Sequence, residues 1–224
     1  MATRYASTIK NLRIKAGLSQ FAMGEKMGLS RQSYMAVERG SRELSLGEAG
    51  KICGIFGISI GTLESGETPN YEKYKQMILA FLRSGKSIPK TKLAKLLYFA
   101  DFGWYYYHLR SMSGMQYRKI QYGPVPDSYF RIIEEMFDGG EIDIMPTNDG
   151  AMLVSQTRGG AKVDLTKINR AEEKLIGNIE KKWRNKRTAD IVDFTHKQFP
   201  YLFAHDNDIV SYDIFTQENP NEVY

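Results

Sequence analysis

The sequence predicts a mainly α protein of two domains: an N-terminal five-helix bundle over residues 1–65, then a helix-rich α+β domain with a small β-hairpin over residues 71–224. Three observations carry this. The first 64 residues break into five short amphipathic segments, each opened or closed by a residue suited to a helix end. A polar stretch bearing Gly and Pro, Ser65-Gly66-Glu67-Thr68-Pro69-Asn70, follows them, and residues 66–70 read as a linker. Beyond it, long helical patterns alternate with short runs of strand period and turn residues.

In the first domain, Tyr5, Ile9, Leu12 and Ala16 recur at helical spacing and Gly17 ends the segment. Ser19 is placed to cap a second helix carrying Met23 and Met27, because its hydroxyl can accept from an unpaired first-turn amide. Gly28-Leu29 makes a tight turn, Ser30 caps a third helix to about Glu38, and Gly40 closes it. Ser45 to Phe56 is a fourth helix, and Ser59 to Leu63 a short fifth capped by Ser59. The second and third segments have the spacing of a helix-turn-helix.

In the second domain, Tyr71 to Leu82 and Pro89 to His108 read as helices, the latter opened by Pro89 and apolar along Leu93, Leu96, Leu97, Ala100 and Trp104. Tyr117 to Tyr122 reads as a strand stopped by the rigid turn Gly123-Pro124-Val125-Pro126, after which Ser128 to Phe137 is helical. Glu141 to Met145 and Met152 to Gln156 flank Asn148-Asp149-Gly150, a hairpin signal of a small, partly exposed ribbon. Ile168 to Lys186 is a long charged helix, and Thr188 is expected to cap another over Ala189 to His196.

Charge and composition narrow the chemistry. The net charge is +5, and it is segregated: residues 1–68 hold 9 Lys/Arg against 6 Asp/Glu, whereas residues 190–224 hold 7 acidic groups against Lys197 alone. A single Cys53, on the apolar face of the fourth helix, excludes an intramolecular disulfide framework and suits a reducing, cytoplasmic home. No membrane-spanning run and no signal peptide is read. His108, His196 and His205 lack metal-ligand spacing, and His205-Asp206-Asn207-Asp208 lacks the Gly and terminal Glu of a calcium loop. With no phosphate-binding Gly pattern either, no catalytic residue, metal or cofactor is assigned.

A helix-turn-helix lays its second helix in the major groove, so Arg31, Gln32, Met35 and Ala36 are the candidate base readers. Arg can donate twice to guanine and Gln can pair with adenine, while Met35 and Ala36 suit a thymine methyl. Tyr34 and Val37 point the other way, into the core.

Leu18-Ser19-Gln20, Leu29-Ser30-Arg31-Gln32-Ser33 and Val37-Glu38-Arg39-Gly40 fall in the order of one family, and residues 5–64 resemble the lambda-repressor-like, or XRE-type, regulators. The resemblance implies that Ser30, Arg31, Gln32 and Ser33 open the recognition helix, that Gln20 holds a phosphate, and that Arg39 and Arg42 add backbone contacts. It also implies a homodimer on double-stranded operator DNA with half-sites about one helical turn apart.

Lys92-Leu93-Ala94-Lys95-Leu96-Leu97-Tyr98-Phe99-Ala100-Asp101, Trp104, Gln121-Tyr122-Gly123-Pro124-Val125-Pro126, Tyr129 and Thr195-His196 form a second pattern. It is similar to the Panacea, or SocA-like, antitoxin domain over most of residues 74–215. The resemblance implies a co-encoded toxin as partner, neutralised by direct binding or by delivery to a protease. The N-terminal zinc module of some relatives is not found in this sequence. Tyr117, Arg118, Tyr129 and the acidic Asp206, Asp208 and Asp213 are the candidate toxin contacts, because aromatic and Arg side chains anchor interfaces and acidic groups complement basic toxins. A base-stacking platform from Trp104 to Tyr107 is disfavoured, since successive helical residues diverge and at least two belong to the core. Two other readings stay open: a plain, prophage-type repressor whose second domain dimerises or senses an effector, and a hydrolase using one of the histidines.

Overall fold

The computed structural model describes residues 5–56, 58, 60–65, 69–148 and 150–224, which form two compact units, residues 1–68 and 69–224. The expected cap Ser59, the linker core Gly66-Glu67-Thr68 and the turn residue Asp149 lie outside the described residues.

The first unit holds α1 (Ala6–Lys15), α2 (Gln20–Met27), α3 (Arg31–Glu38), α4 (Leu46–Phe56) and α5 (Ile60–Ser65). Ser19 and Ser30 cap α2 and α3 as their positions require, each hydroxyl accepting from the amide three residues on at 3.1 Å. Ser45 accepts from Glu48 N at the head of α4. Ile9, Met23, Met27, Tyr34, Val37, Ile52 and Leu63 make the core, and Cys53 is half-buried against it. The turn between α2 and α3 is tight: a Cβ on Gly24 would stand 2.9 Å from Leu29 O, so only glycine allows the two segments this approach.

The second unit is organised about α7 (Lys90–His108), which is buried without interruption from Lys92 to Gly103. Around it pack α6 (Tyr71–Leu82), α8 (Tyr129–Asp138), α9 (Arg170–Trp183) and α10 (Thr188–His196), and the short α11 (Phe199–Phe203) packs against α10. The expected hairpin is present as β4 (Ile142–Pro146) and β5 (Met152–Gln156), with Ile144 opposite Val154. It is more than an exposed ribbon: β1 (Ile88–Pro89) adds to β5 in a three-stranded sheet of order β1-β5-β4, and Ile142 and Val154 are fully buried.

Other expectations are corrected. The strand from Tyr117 is only β2 (Tyr117–Arg118), and it pairs with β3 (Val125–Pro126), so half of the expected turn is itself strand. The chain reverses over Ile120 to Gly123, where Gly123 N donates to Ile120 O. Prolines are tolerated here because the sheet is only two strands wide and Pro126 has a free side. Thr188 does not cap α10; Arg187 takes that place, its backbone amide donating to the Asp190 carboxylate at 2.9 Å. Of Trp104, Tyr105, Tyr106 and Tyr107, Tyr105 alone is buried, Trp104 and Tyr106 being half-buried and Tyr107 exposed.

The polar residues of α7 each hold a different segment. Lys92 donates to Arg184 O (3.2 Å) and Lys186 O (2.6 Å), satisfying carbonyls at the end of α9. Lys95 donates to Pro124 O at 3.0 Å. Asp101, wholly buried, accepts from Ser113 N (2.6 Å), Ser113 Oγ (2.5 Å), Tyr117 OH (2.8 Å) and Ser111 Oγ (3.3 Å). The C-terminal residues close the core: Phe102 stacks on Tyr212 with centroids 4.0 Å apart, and Phe215 and Val223 are buried.

Burial pushes the Asp101 carboxyl up to about 6, its hydrogen bonds offsetting only part of the desolvation. A carboxyl raised in the folded state stabilises the fold while protonated, fully below its unfolded value near 4, and that contribution is lost as pH rises to about 6. The difference in unfolding free energy between the native chain and Asp101→Asn should therefore move against the native chain by roughly 2–3 kcal/mol between these limits. Chemical denaturation across that pH range measures it, and a flat difference would contradict the assignment.

Candidate nucleic-acid interface and the Gly123 junction

α3 presents Arg31 and Gln32 fully exposed at its first turn, next to the capped Ser30, and no acidic residue occupies that turn. Cationic and amide donors thus stand at the positive end of the helix, where an anionic backbone is favoured and base edges can be reached. Ser33, Met35 and Ala36 are half-buried, and Tyr34 and Val37 are core.

One carboxylate positions this surface. Glu38, at the end of α3, accepts from Arg13 of α1 (2.5 and 3.1 Å) and from the Gln20 amide of α2 (2.9 Å), and Arg13 also donates to Leu18 O at 2.8 Å. Burial acts to raise the Glu38 carboxyl, but the hydrogen bonds from Arg13 and Gln20 prevail and hold it below its ordinary value. The sequence analysis missed this pair, 25 positions apart. Its signal was a Glu at the end of a helix whose polar face also had to meet an inward Arg.

The expected backbone contacts differ in readiness. Gln20 is half-buried with one amide hydrogen committed to Glu38. Arg39 is exposed and, among the described residues, is bonded to Met35 O alone, at 3.3 Å. Arg42 is clamped in a two-bond pair with Glu48 (2.7 and 3.2 Å), whose carboxyl that guanidinium and the Ser45 amide hold down at about 2. A phosphate at Arg42 must share or displace Glu48.

In the second unit the family-marking segments converge. A Cβ built on Gly123, where φ is +90°, would stand 2.7 Å from Thr195 Oγ1 and 2.9 Å from Lys95 Cε. The Tyr-Gly-Pro-Val-Pro segment, α7 and α10 therefore meet at one glycine, and the pattern marks a packing junction. Burial lowers Lys95 to about 7. His196 stacks on Tyr201 with centroids 4.2 Å apart, and burial and the nearby Lys95 lower its pKa. Among the described residues no three His, Cys, Asp or Glu side chains converge to hold a metal, and no helix is long and apolar enough to cross a membrane.

Two of the expected toxin contacts are corrected. Tyr117 is 0% exposed and donates to Asp101, and Tyr129 is 1% exposed and donates to Lys90 O at 2.7 Å, so neither ring is presented to a partner. Arg118 is half-exposed but pairs with Asp127 through two bonds of 2.7 Å. Asp206, Asp208 and Asp213 are exposed, Asp213 accepting from Tyr105 OH. They do not lie on a loose tail: residues 207–210 bind the edge of β2, with Lys119 N donating to Asp208 O and Val210 N to Tyr117 O, both at 2.8 Å. Beside them Leu202 and Phe203 of α11 are 57% and 68% exposed, apolar anchors that the sequence reading did not pick out.

Replacing Gly123 by Ala should cost about 2–3 kcal/mol, combining a left-handed backbone with a side-chain clash, and should be partly relieved by Thr195→Ala. Thermal unfolding of both single variants and the pair tests it; strict additivity would contradict the junction.

Comparison with known proteins agrees with this geometry. Residues 9–63 match the family described as Helix-turn-helix, and residues 93–200 match Antitoxin SocA-like, Panacea domain. Neither is an enzyme family. No curated protein and no solved structure matches the chain. The chain thus joins an XRE-type helix-turn-helix domain to a SocA-like Panacea domain.

Proposed function

We propose that this protein is the antitoxin of a toxin–antitoxin pair: its second unit binds a co-encoded toxin protein, and its first binds, as a homodimer, the operator of their shared operon and represses it. The single observation that carries the reading is the joining of the two family matches on one chain, since a helix-turn-helix supplies an address on DNA and a SocA-like domain a toxin-facing surface.

At the DNA, Arg31 and Gln32 read bases, the α3 N-terminus with Ser30 and Ser33 approaches the backbone, and Gln20 donates its remaining amide hydrogen to a phosphate. Arg39 adds a second phosphate contact, and Met35 and Ala36 supply apolar contact to the groove. On the second unit, the toxin surface is the exposed patch of Leu202 and Phe203 flanked by Asp206 and Asp208. Apolar anchors within an acidic rim suit the basic surface of a nucleic-acid-directed toxin.

Growth of cells expressing the neighbouring gene product, with and without this protein, followed by co-purification, tests the reading. Rescue with a stable complex is expected; a harmless neighbour and no complex would leave only a plain repressor.

Within the complex, Phe203→Ala should weaken toxin binding about tenfold or more, and Asp206→Lys should slow association, each measured by surface plasmon resonance. On operator DNA, Arg31→Ala should cost about 1–3 kcal/mol and relax preference at one base pair. Gln20→Ala should weaken all sequences alike. Equal, sequence-independent losses in gel-shift titrations would remove Arg31 as a reader.

A further inference from the structure

Beneath the start of α7 lies a cavity of about 490 Å³, large enough for a small organic molecule. Its walls are mostly apolar, from Ala94, Ile120, Val125 and Leu153, and its mouth is marked by Tyr122 and Phe130, 58% and 49% exposed. Four features of its polar lining share one sign. Lys95 lines it while being only 1% exposed, and among the described residues its ammonium has one acceptor, Pro124 O, so two of its three hydrogens have none. Lys90 is a second cation at the wall, its Nζ 5.1 Å from the Phe130 ring centre. The N-terminus of α7 opens here, and neither a side-chain cap at Pro89 nor an acidic residue in the first turn satisfies it. Among the described residues, no Asp or Glu lines it.

A buried ammonium normally finds a carboxylate, because an unpaired charge removed from water is costly. Lys92, one turn away on the same helix, meets two carbonyls at a helix end. Lys95 instead lines the apolar cavity. We propose that this cavity is a binding site for a small organic anion, a carboxylate, phosphate or sulfonate head on a flat apolar body, with the head on Lys95 and the first turn of α7 and the body against Tyr122 and Phe130. The head group completes the donor set that the protein leaves open, and the body covers apolar wall. This site is separate from the Phe203 patch and stands whether or not the toxin reading does.

The test uses the full chain and two fluorescent probes that share one aromatic body, anilinonaphthalene sulfonate and the uncharged phenylnaphthylamine. At pH 6, where Lys95 carries its proton, the sulfonate is expected to bind at one site per chain, at least about tenfold more tightly than the uncharged probe, as charge-assisted hydrogen bonds to a buried donor require. Lys95→Met keeps the length and shape of the side chain and should abolish that preference while leaving the uncharged probe's affinity within about twofold. Tyr122→Ala, at an exposed position, should weaken both probes and keep the preference, which tests the site even if the Lys95 variant fails to fold. Unfolding transitions of each variant confirm a native chain. Equal affinity of the two probes for the native protein, sulfonate binding unchanged in folded Lys95→Met, or both probes unaffected by Tyr122→Ala would overturn the proposal.

Discussion

The second unit depends on a constraint imposed by α7. A helix buried from Lys92 to Gly103 has no solvent-facing side on which to leave polar side chains, yet it carries two lysines and an aspartate in that span. Each must be answered inside the protein, and each answer fixes a piece of chain that has little regular structure of its own. Lys92 holds the turn from α9 to α10, Lys95 the Gly123-Pro124 reversal, and Asp101 the loop from Ser111 to Tyr117. Three irregular segments thus take their positions from one helix.

The first unit uses the same device on a smaller scale. Beside its small apolar core, the Glu38 carboxylate, gripped by Arg13 and Gln20, ties α1, α2 and α3 together. The residue that orients the recognition helix is therefore itself outside the reading surface.

Most helices were legible in the sequence because periodicity and caps are local properties. Ser19, Ser30 and the apolar stripe from Leu93 to Ala100 needed no knowledge of the rest of the chain. What was not legible depended on partners far along it. β1 is two residues paired with a strand 65 positions later, β3 contains a proline that normally argues against a strand, and Thr188 resembles a cap until Asp190 is seen to cap through Arg187. Tyr117 and Tyr129 read as interface aromatics because the groups that receive their hydroxyls, Asp101 and the Lys90 carbonyl, cannot be inferred from spacing. The exposed first turn of α3 was legible from motif order; the Glu38 anchor and the exposed Leu202 and Phe203 were not.

The closure of the core by Tyr212, Phe215 and Val223 has a temporal side. Phe102 must wait for a stacking partner 110 positions downstream, so the second unit cannot complete its interior during synthesis until nearly all of its described chain has emerged. The helix-turn-helix unit, made first and closed by local contacts, has no such delay. A nascent chain therefore holds a finished helix-turn-helix unit before it holds a finished second unit, and a protease that removes Tyr212 and Phe215 reopens the second core while leaving the first folded.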